Sequence, residues 1–145
     1  MTAPVTLVAG QTDLTIDAGL HYLPAALGDY VWLDTNNNGI QDEVGTGISG
    51  VTVELEDTTG NILSTTTTDA SGAYLFTGLA HGSYEVQFIA PTGDAFSAAL
   101  QGGNTATDSN PNVSTGVTAP VTLVAGQTDL KIGRASCRER VLMPV

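Results

Sequence analysis

Val51, Val53 and Leu55 are apolar and alternate with Thr52, Glu54 and Glu56. A period of two places one set against a core and the other in water, so residues 51–56 read as a half-buried strand. Tyr84, Val86 and Phe88 alternate in the same way with Ser83, Glu85 and Gln87. Residues 57–61 (DTTGN) and 69–72 (DASG) are turn sequences, and 62–68 between them is rich in β-branched Thr, which favours strands. Residues 28–33, 73–76 and 121–124 supply three further strand patterns. No helical period extends over ten residues. Short strands divided by Gly, Asp and Asn turns predict an all-β, antiparallel sandwich, with Trp32, Tyr74, Phe76, Tyr84, Val86 and Phe88 in its core. Residues 101–117 are loop by composition, and loops of that length are usually functional.

The chain also repeats itself. Residues 2–14 read TAPVTLVAGQTDL, and residues 118–130 are the same string, offset by 116. The chain therefore reads as a piece of a tandem array whose unit is about one domain long. Residues 1–23 are expected to be the closing strand segment of a preceding repeat, and residues 24–130 one β-sandwich unit that lacks the end of its final strand. After the first copy the chain continues TIDAGL; after the second it continues KIGRASCRERVLMPV. The stretch IGRASCRERV resembles a translated sequencing-adapter read-through, so residues 131–145 are set aside as a non-native tail. Met1 stands where Val117 stands in the later copy, which suggests an internal codon read as a start. Losing TIDAGL should leave a sheet edge short or unpaired, and residues 13–18 are expected to fold back onto it.

Charge narrows the function. Of 145 residues, 15 are acidic and 4 basic, for a formal net charge of −11. Lys131, Arg134, Arg138 and Arg140 all lie in the tail, so residues 1–130 carry fourteen carboxylates and neither Lys nor Arg. Nucleic-acid binding needs cations to displace counterions from phosphate, and docking on an anionic membrane needs a basic patch. Neither is available, and no apolar run has the ~18–20 residues of a membrane span. The single Cys137 excludes an intrachain disulfide. With only His21 and His81 as histidines, and nothing to bring base and nucleophile together, no enzyme is expected.

Residues 34–42, DTNNNGIQD, suit a hard cation instead. Asp34, Asn36 and Asn38 fall at positions 1, 3 and 5 of an EF-hand-type loop, Gly39 at the sharp turn, Ile40 at the carbonyl position 7, and Asp42 at position 9. Oxygen ligands at alternate positions point to Ca²⁺ rather than zinc or copper. Position 12, normally a bidentate Glu, is Gly45, and Glu43 is near but out of register. A second alternating set, Asp108, Asn110 and Asn112, lies in the long loop, and Asp29 could reach the first site from its strand. An ordinary polar turn or loop is the competing reading for the two loops, and a surface Asp opening a strand is the competing reading for Asp29.

At these residues the chain resembles a bacterial surface-protein repeat. LGDYVWLDTNNNGIQDE (residues 27–43) and GISGVTVEL (47–55) are similar to the opening of B-type repeats in serine-aspartate repeat adhesins. TTTDASGAYLFTGLAHGSYEVQF (66–88) is similar to the second half of that pattern, shared with collagen-adhesin B-type domains. The resemblance implies a prealbumin-like, immunoglobulin-like sandwich of Greek-key type. It further implies a calcium-binding, rod-forming spacer on a secreted or cell-surface protein, with Asp34, Asn36, Asn38, Ile40 and Asp42 as ligands and neighbouring repeats as partners. Some relatives carry a Lys–Asn isopeptide crosslink; residues 1–130 contain no Lys, which leaves calcium as the staple. The alternative is a carbohydrate- or host-protein-binding module on the same sandwich, which a change in Trp32 fluorescence on adding sugar would favour.

Overall fold

The computed structural model describes residues 1–138. Nine strands follow in order: β1 (Ala25–Leu33), β2 (Thr52–Asp57), β3 (Ile62–Thr67), β4 (Ala73–Leu79), β5 (Gly82–Phe88), β6 (Asp94–Phe96), β7 (Val121–Leu123), β8 (Thr128–Asp129) and β9 (Arg134–Arg138). Among the described residues there is no helix. One sheet runs β4-β1-β9-β6, with β8 also paired to β1; the other runs β3-β2-β5-β7. All six strand patterns read from the sequence are present within a few residues, as β1 to β5 and β7.

Alternation decides what each strand buries. Val53 and Leu55 of β2 face Val86 and Phe88 of β5 across the ladder, and all four are at most 1% exposed. Leu27 and Val31 of β1, Tyr74 and Phe76 of β4, and Leu123 and Ile132 complete the core between the sheets. Tyr74 meets Phe76 and Phe88 edge-on, with centroids 5.9 and 5.6 Å apart, the arrangement ring quadrupoles prefer. Tyr84 packs on the rim of this core. Trp32 is fully buried but points to the other side of β1 from Val31, outside the main cluster.

Two expectations are overturned. The sheet edge is not left unpaired: residues 134–138, set aside as a tail, form β9 and sit between β1 and β6. Ile132 and Ala135 supply the buried apolar positions that a closing strand needs there, and the strand pairs parallel to β1, as β8 does. The sandwich is therefore antiparallel except along that side of β1. Residues 139–145, the rest of the tail, lie outside the described residues.

Nor do residues 13–18 fold back. They form no ladder, and Leu14, Ile16 and Leu20 remain 84%, 53% and 96% exposed. The parallel direction of β9 explains why. At the offset of 116, Leu20 corresponds to Ser136, which lies beside Leu33 at the far end of β1. From Leu33 back to Ala25 is eight strand steps, about 26 Å. The five links from Leu20 to Ala25 span at most about 18 Å.

Phe88→Ala should therefore cost about 3–5 kcal/mol in urea unfolding, because it opens a cavity between Tyr74 and Val53 in the core. Leu14→Ala should change stability by less than about 0.5 kcal/mol. A comparable loss from Leu14→Ala would mean that the N-terminal segment packs on the sandwich after all.

Candidate metal centre

The loop that follows β1 is closed by its own side chains. Asp34 is 1% exposed, and its carboxylate accepts the Asn38 N–H at 3.1 Å and the Gly39 N–H at 2.8 Å. Asn36 Oδ1 accepts the Asn38 N–H at 3.1 Å, and Asn38 Oδ1 accepts the Ile40 N–H at 2.9 Å, so each Asn makes a local turn. The amides of Asn36 and Asn38 donate to the two oxygens of Asp42 at 3.2 and 2.8 Å. Asn38 above all holds the Asp42 carboxyl below its ordinary pKa. Asn37 and Gly39 have φ of 56° and 72°, the left-handed conformation that Asn and Gly adopt most readily. At Gly39 a β-carbon would also come within 2.2 Å of the Ala98 carbonyl, so only glycine fits.

Asp34, Asn36, Asn38 and Asp42 therefore converge on one another, as the alternate spacing requires. The Ile40 carbonyl accepts the Asp42 N–H at 2.9 Å. Glu43, out of register by sequence, bends back to the start of the loop. Its Oε1 accepts N–H groups from Thr35 at 2.8 Å and Asn36 at 3.3 Å. Its Oε2 is buried with no partner. A buried carboxylate oxygen without a donor is costly, and a cation beside the loop would satisfy it. Among the described residues no three His, Cys, Asp or Glu side chains cluster at metal-binding distance, so the candidate set depends on Asn oxygens as well as carboxylates.

The second candidate loop is brought against the first. Ile40 and Asp108 form an isolated bridge, Gln41 N–H donates to the Thr107 carbonyl at 2.7 Å, and Ser109 N–H donates to the Gly39 carbonyl at 3.1 Å. Asp108 is buried, its carboxyl is raised by desolvation, and its Oδ1 has no partner. Asn110 is occupied otherwise: its Oδ1 accepts the Gly133 N–H at 2.8 Å and its N–H donates to the Gly133 carbonyl at 2.9 Å, which clamps the entry to β9. Asn112 Oδ1 caps a turn through Ser114 N–H. Asp29 lies opposite Tyr74 on the inner face of β1, and its electrostatic neighbours are Asp129 and Asp108. Burial, then Asp129 and Asp108, push its carboxyl up to about 7.

A family model described as the SdrD B-like domain matches residues 25–135, from the first residue of β1 into β9. The chain belongs to that family. Serine-aspartate repeat-containing protein D of Staphylococcus aureus (strain Newman) is 49% identical over 113 residues, 78% of this chain and 9% of that protein. Serine-aspartate repeat-containing protein F of Staphylococcus epidermidis is 47% identical over 116 residues, 80% of this chain and 7% of that protein. The chain thus spans less than a tenth of the length of these relatives. Among solved structures, the Bacillus anthracis TIE protein aligns with a TM-score of 0.54 at 13% identity, over 80% of this chain and 17% of that one. The minor pilin GBS52 of Streptococcus agalactiae aligns with a TM-score of 0.51 at 16% identity, over 86% and 48%. These likenesses bear out the sandwich.

In this SdrD B-like domain the sequence reading missed Asp129 and the inward turn of Glu43. Asp129 lies in the repeated string TDL, where nothing marks it as a site residue, and only the parallel β1–β8 pairing sets it beside Leu27 and next to Asp29.

Folding raises the Asp29 pKa from 3.8 to about 7, so the folded state binds that proton more tightly than the unfolded chain. The group therefore adds stability as pH falls through 7 towards 4 and withdraws it above 7. In calcium-free buffer the melting midpoint should rise between about pH 8 and about pH 5, by on the order of 3 kcal/mol in stability, and Asp29→Asn should flatten that rise. Carboxyls held low by hydrogen bonds, such as Asp57 and Asp69, lose stability only in more acid solution, outside this window. A midpoint that falls with pH across it would contradict the assignment.

Proposed function

We propose that this chain is a calcium-stiffened spacer repeat of a secreted or cell-surface bacterial adhesin-like protein, with neighbouring repeats as its partners and no catalytic role. The observation that carries the reading is the convergence of Asp34, Asn36, Asn38 and Asp42, with the unpartnered Glu43 oxygen beside them. These residues and the Ile40 carbonyl would hold Ca²⁺, a hard ion suited to carboxylate, amide and carbonyl oxygens. The ion would supply positive charge to a loop that now spends its oxygens on its own N–H groups. Asp108 and Asp29 are the candidates for a second, weaker ion, with Asp129 added to them.

The spacer role follows from mechanics. The loop joins β1 to the 97–112 segment through Gly39, Ile40 and Gln41, so fixing it fixes one end of the sandwich. No pocket chemistry is needed for such a role, and half of the eight aromatic side chains that a sugar platform could use are buried: Trp32, Tyr74, Phe76 and Phe88 are at most 5% exposed. Among the described residues no helix is long and apolar enough to cross a membrane.

Calcium at ~100 times its Kd adds ~2.7 kcal/mol, and extracellular modules bind at ~10⁻⁴–10⁻³ M. Thermal melting with millimolar Ca²⁺ should therefore give a clearly higher midpoint than melting with EDTA at matched ionic strength; equal midpoints would defeat the proposal. Asp34→Ala should remove most of the gain and Asp108→Ala less. Glu43→Gln should weaken binding, whereas Gly45→Glu should not strengthen it, because Gly45 has φ 71° and a side chain there is strained. Tighter binding by Gly45→Glu would show that position 12, not Glu43, faces the ion.

A further inference from the structure

The seat of β8 and β9 has a second candidate occupant in the same sequence. Residues 118–130 are built into the sandwich: Thr118 Oγ1 accepts the Val86 N–H at 3.1 Å, Leu123 is 1% exposed, and Thr128–Asp129 pairs with β1. Residues 2–14 repeat that string and make no ladder contact. Beyond the identity, Ile16 corresponds to Ile132, Ala18 to Arg134, Gly19 to Ala135 and Leu20 to Ser136. We propose that the groove beside β1 is a strand-acceptor site for residues 11–20 of a second copy of this chain, which joins copies head to tail.

The present occupant fits badly. Arg134 is fully buried, and its Nε and Nη1 have no partner. Only Nη2 is bonded, to Ser136 Oγ at 3.3 Å, and the guanidinium lies 4.2 Å from the Phe96 ring centroid. Burying a charge without a full set of partners is expensive, and Ala18 in that place removes the charge altogether. Ile16 keeps the apolar contact that Ile132 makes. The incoming segment carries handicaps of its own: Gly19 and Leu20 replace the fully buried Ala135 and Ser136, so the seat must repack, and Asp17 replaces Gly133, where a β-carbon meets Asp29 Oδ2 at 2.8 Å, the Trp32 ring at 3.1 Å and the Tyr30 carbonyl at 3.2 Å. Asp29 Oδ2 is the end of a side chain and can rotate away, so the exchange is hindered there and not blocked.

Geometry directs the exchange between molecules. The parallel direction of β9 puts the end of the inserted segment beside Leu33, beyond reach of the links to the chain's own Ala25. A second copy has no such tether. Its Leu14, Ile16 and Leu20 are exposed and available. The inference rests on the sandwich and the repeat, not on the calcium reading.

A fluorescent peptide of residues 11–20 added to the full chain tests it, in Ca²⁺ and in EDTA, with annealing at the melting midpoint and slow cooling. Anisotropy should report saturable binding of one peptide per chain. Cys137, half-buried in β9 opposite Ala95, should react faster with a thiol reagent as β9 is displaced and exposes it. The Ile16→Asp peptide should do neither, and the Asp17→Gly peptide should bind more tightly than the parent. In sedimentation the full chain should show concentration-dependent oligomers that Ile16→Asp abolishes without lowering the melting midpoint, since Ile16 is exposed in the monomer. No binding in either buffer after annealing, or equal binding by the Ile16→Asp peptide, would overturn the proposal.

Discussion

The Asp34 carboxylate is the point on which one end of the molecule depends. It leaves β1 directly, is buried, and accepts the N–H groups of Asn38 and Gly39, which bends residues 34–42 into a closed loop. Its own N–H donates to the Ser136 carbonyl at 2.8 Å and so extends the β9 ladder past the end of β1. Gly39, held in place by this carboxylate, touches Ala98 and pairs with Ser109, and Ile40 meets Asp108. One buried charge thus connects the first strand, the candidate metal loop, the long 97–112 segment and the last strand. Such a charge is tolerated only while its hydrogen bonds are intact.

A second constraint is the one-sided charge. With fourteen carboxylates and no Lys or Arg before residue 131, few of them can find a cationic partner. Exposed carboxylates such as Asp57, Asp69 and Asp42 settle this by accepting hydrogen bonds from neighbouring Thr, Ser, Asn and backbone groups. Asp29 and Asp108 are withdrawn from water with too little such help, and burial raises both. The two solutions divide the carboxylates into those that shape turns and those that lack a counter-charge. The second group, together with the Glu43 oxygen, is where a divalent cation would change the energy most.

Much of this was legible in the sequence, because most of the strands announce themselves by alternation. Val51–Leu55 and Tyr84–Phe88 are examples: their faces are decided by the period of two, and they pair as the core requires. The DTNNNG loop was legible for a similar reason, since the spacing of oxygen-bearing residues is local. What was not legible depends on distant contacts. Three-residue β6 and two-residue β8 are too short to carry a period. β9 lacks alternation because it runs inside a sheet, where Arg134 and Ser136 are buried along with Ala135. The direction of β9 then decided the fate of residues 13–18, and no local pattern reports strand direction. Glu43 was judged by its register in a borrowed loop, whereas a shorter return brings its carboxylate to Thr35 and Asn36.

The central claim is that residues 34–43 form a cation site that ties the loop to the sandwich. The most direct measurement is an amide NMR titration of the full chain with Ca²⁺. The Gly39 backbone N–H and the Asn36 and Asn38 side-chain amides donate to Asp34 and Asp42, so an entering ion must disturb them first. They should shift together and saturate in the range of ~10⁻⁴–10⁻³ M, with smaller changes at Ser109 and Asp108. Weak, non-saturating shifts spread over the acidic surface, with these amides unmoved, would contradict the account.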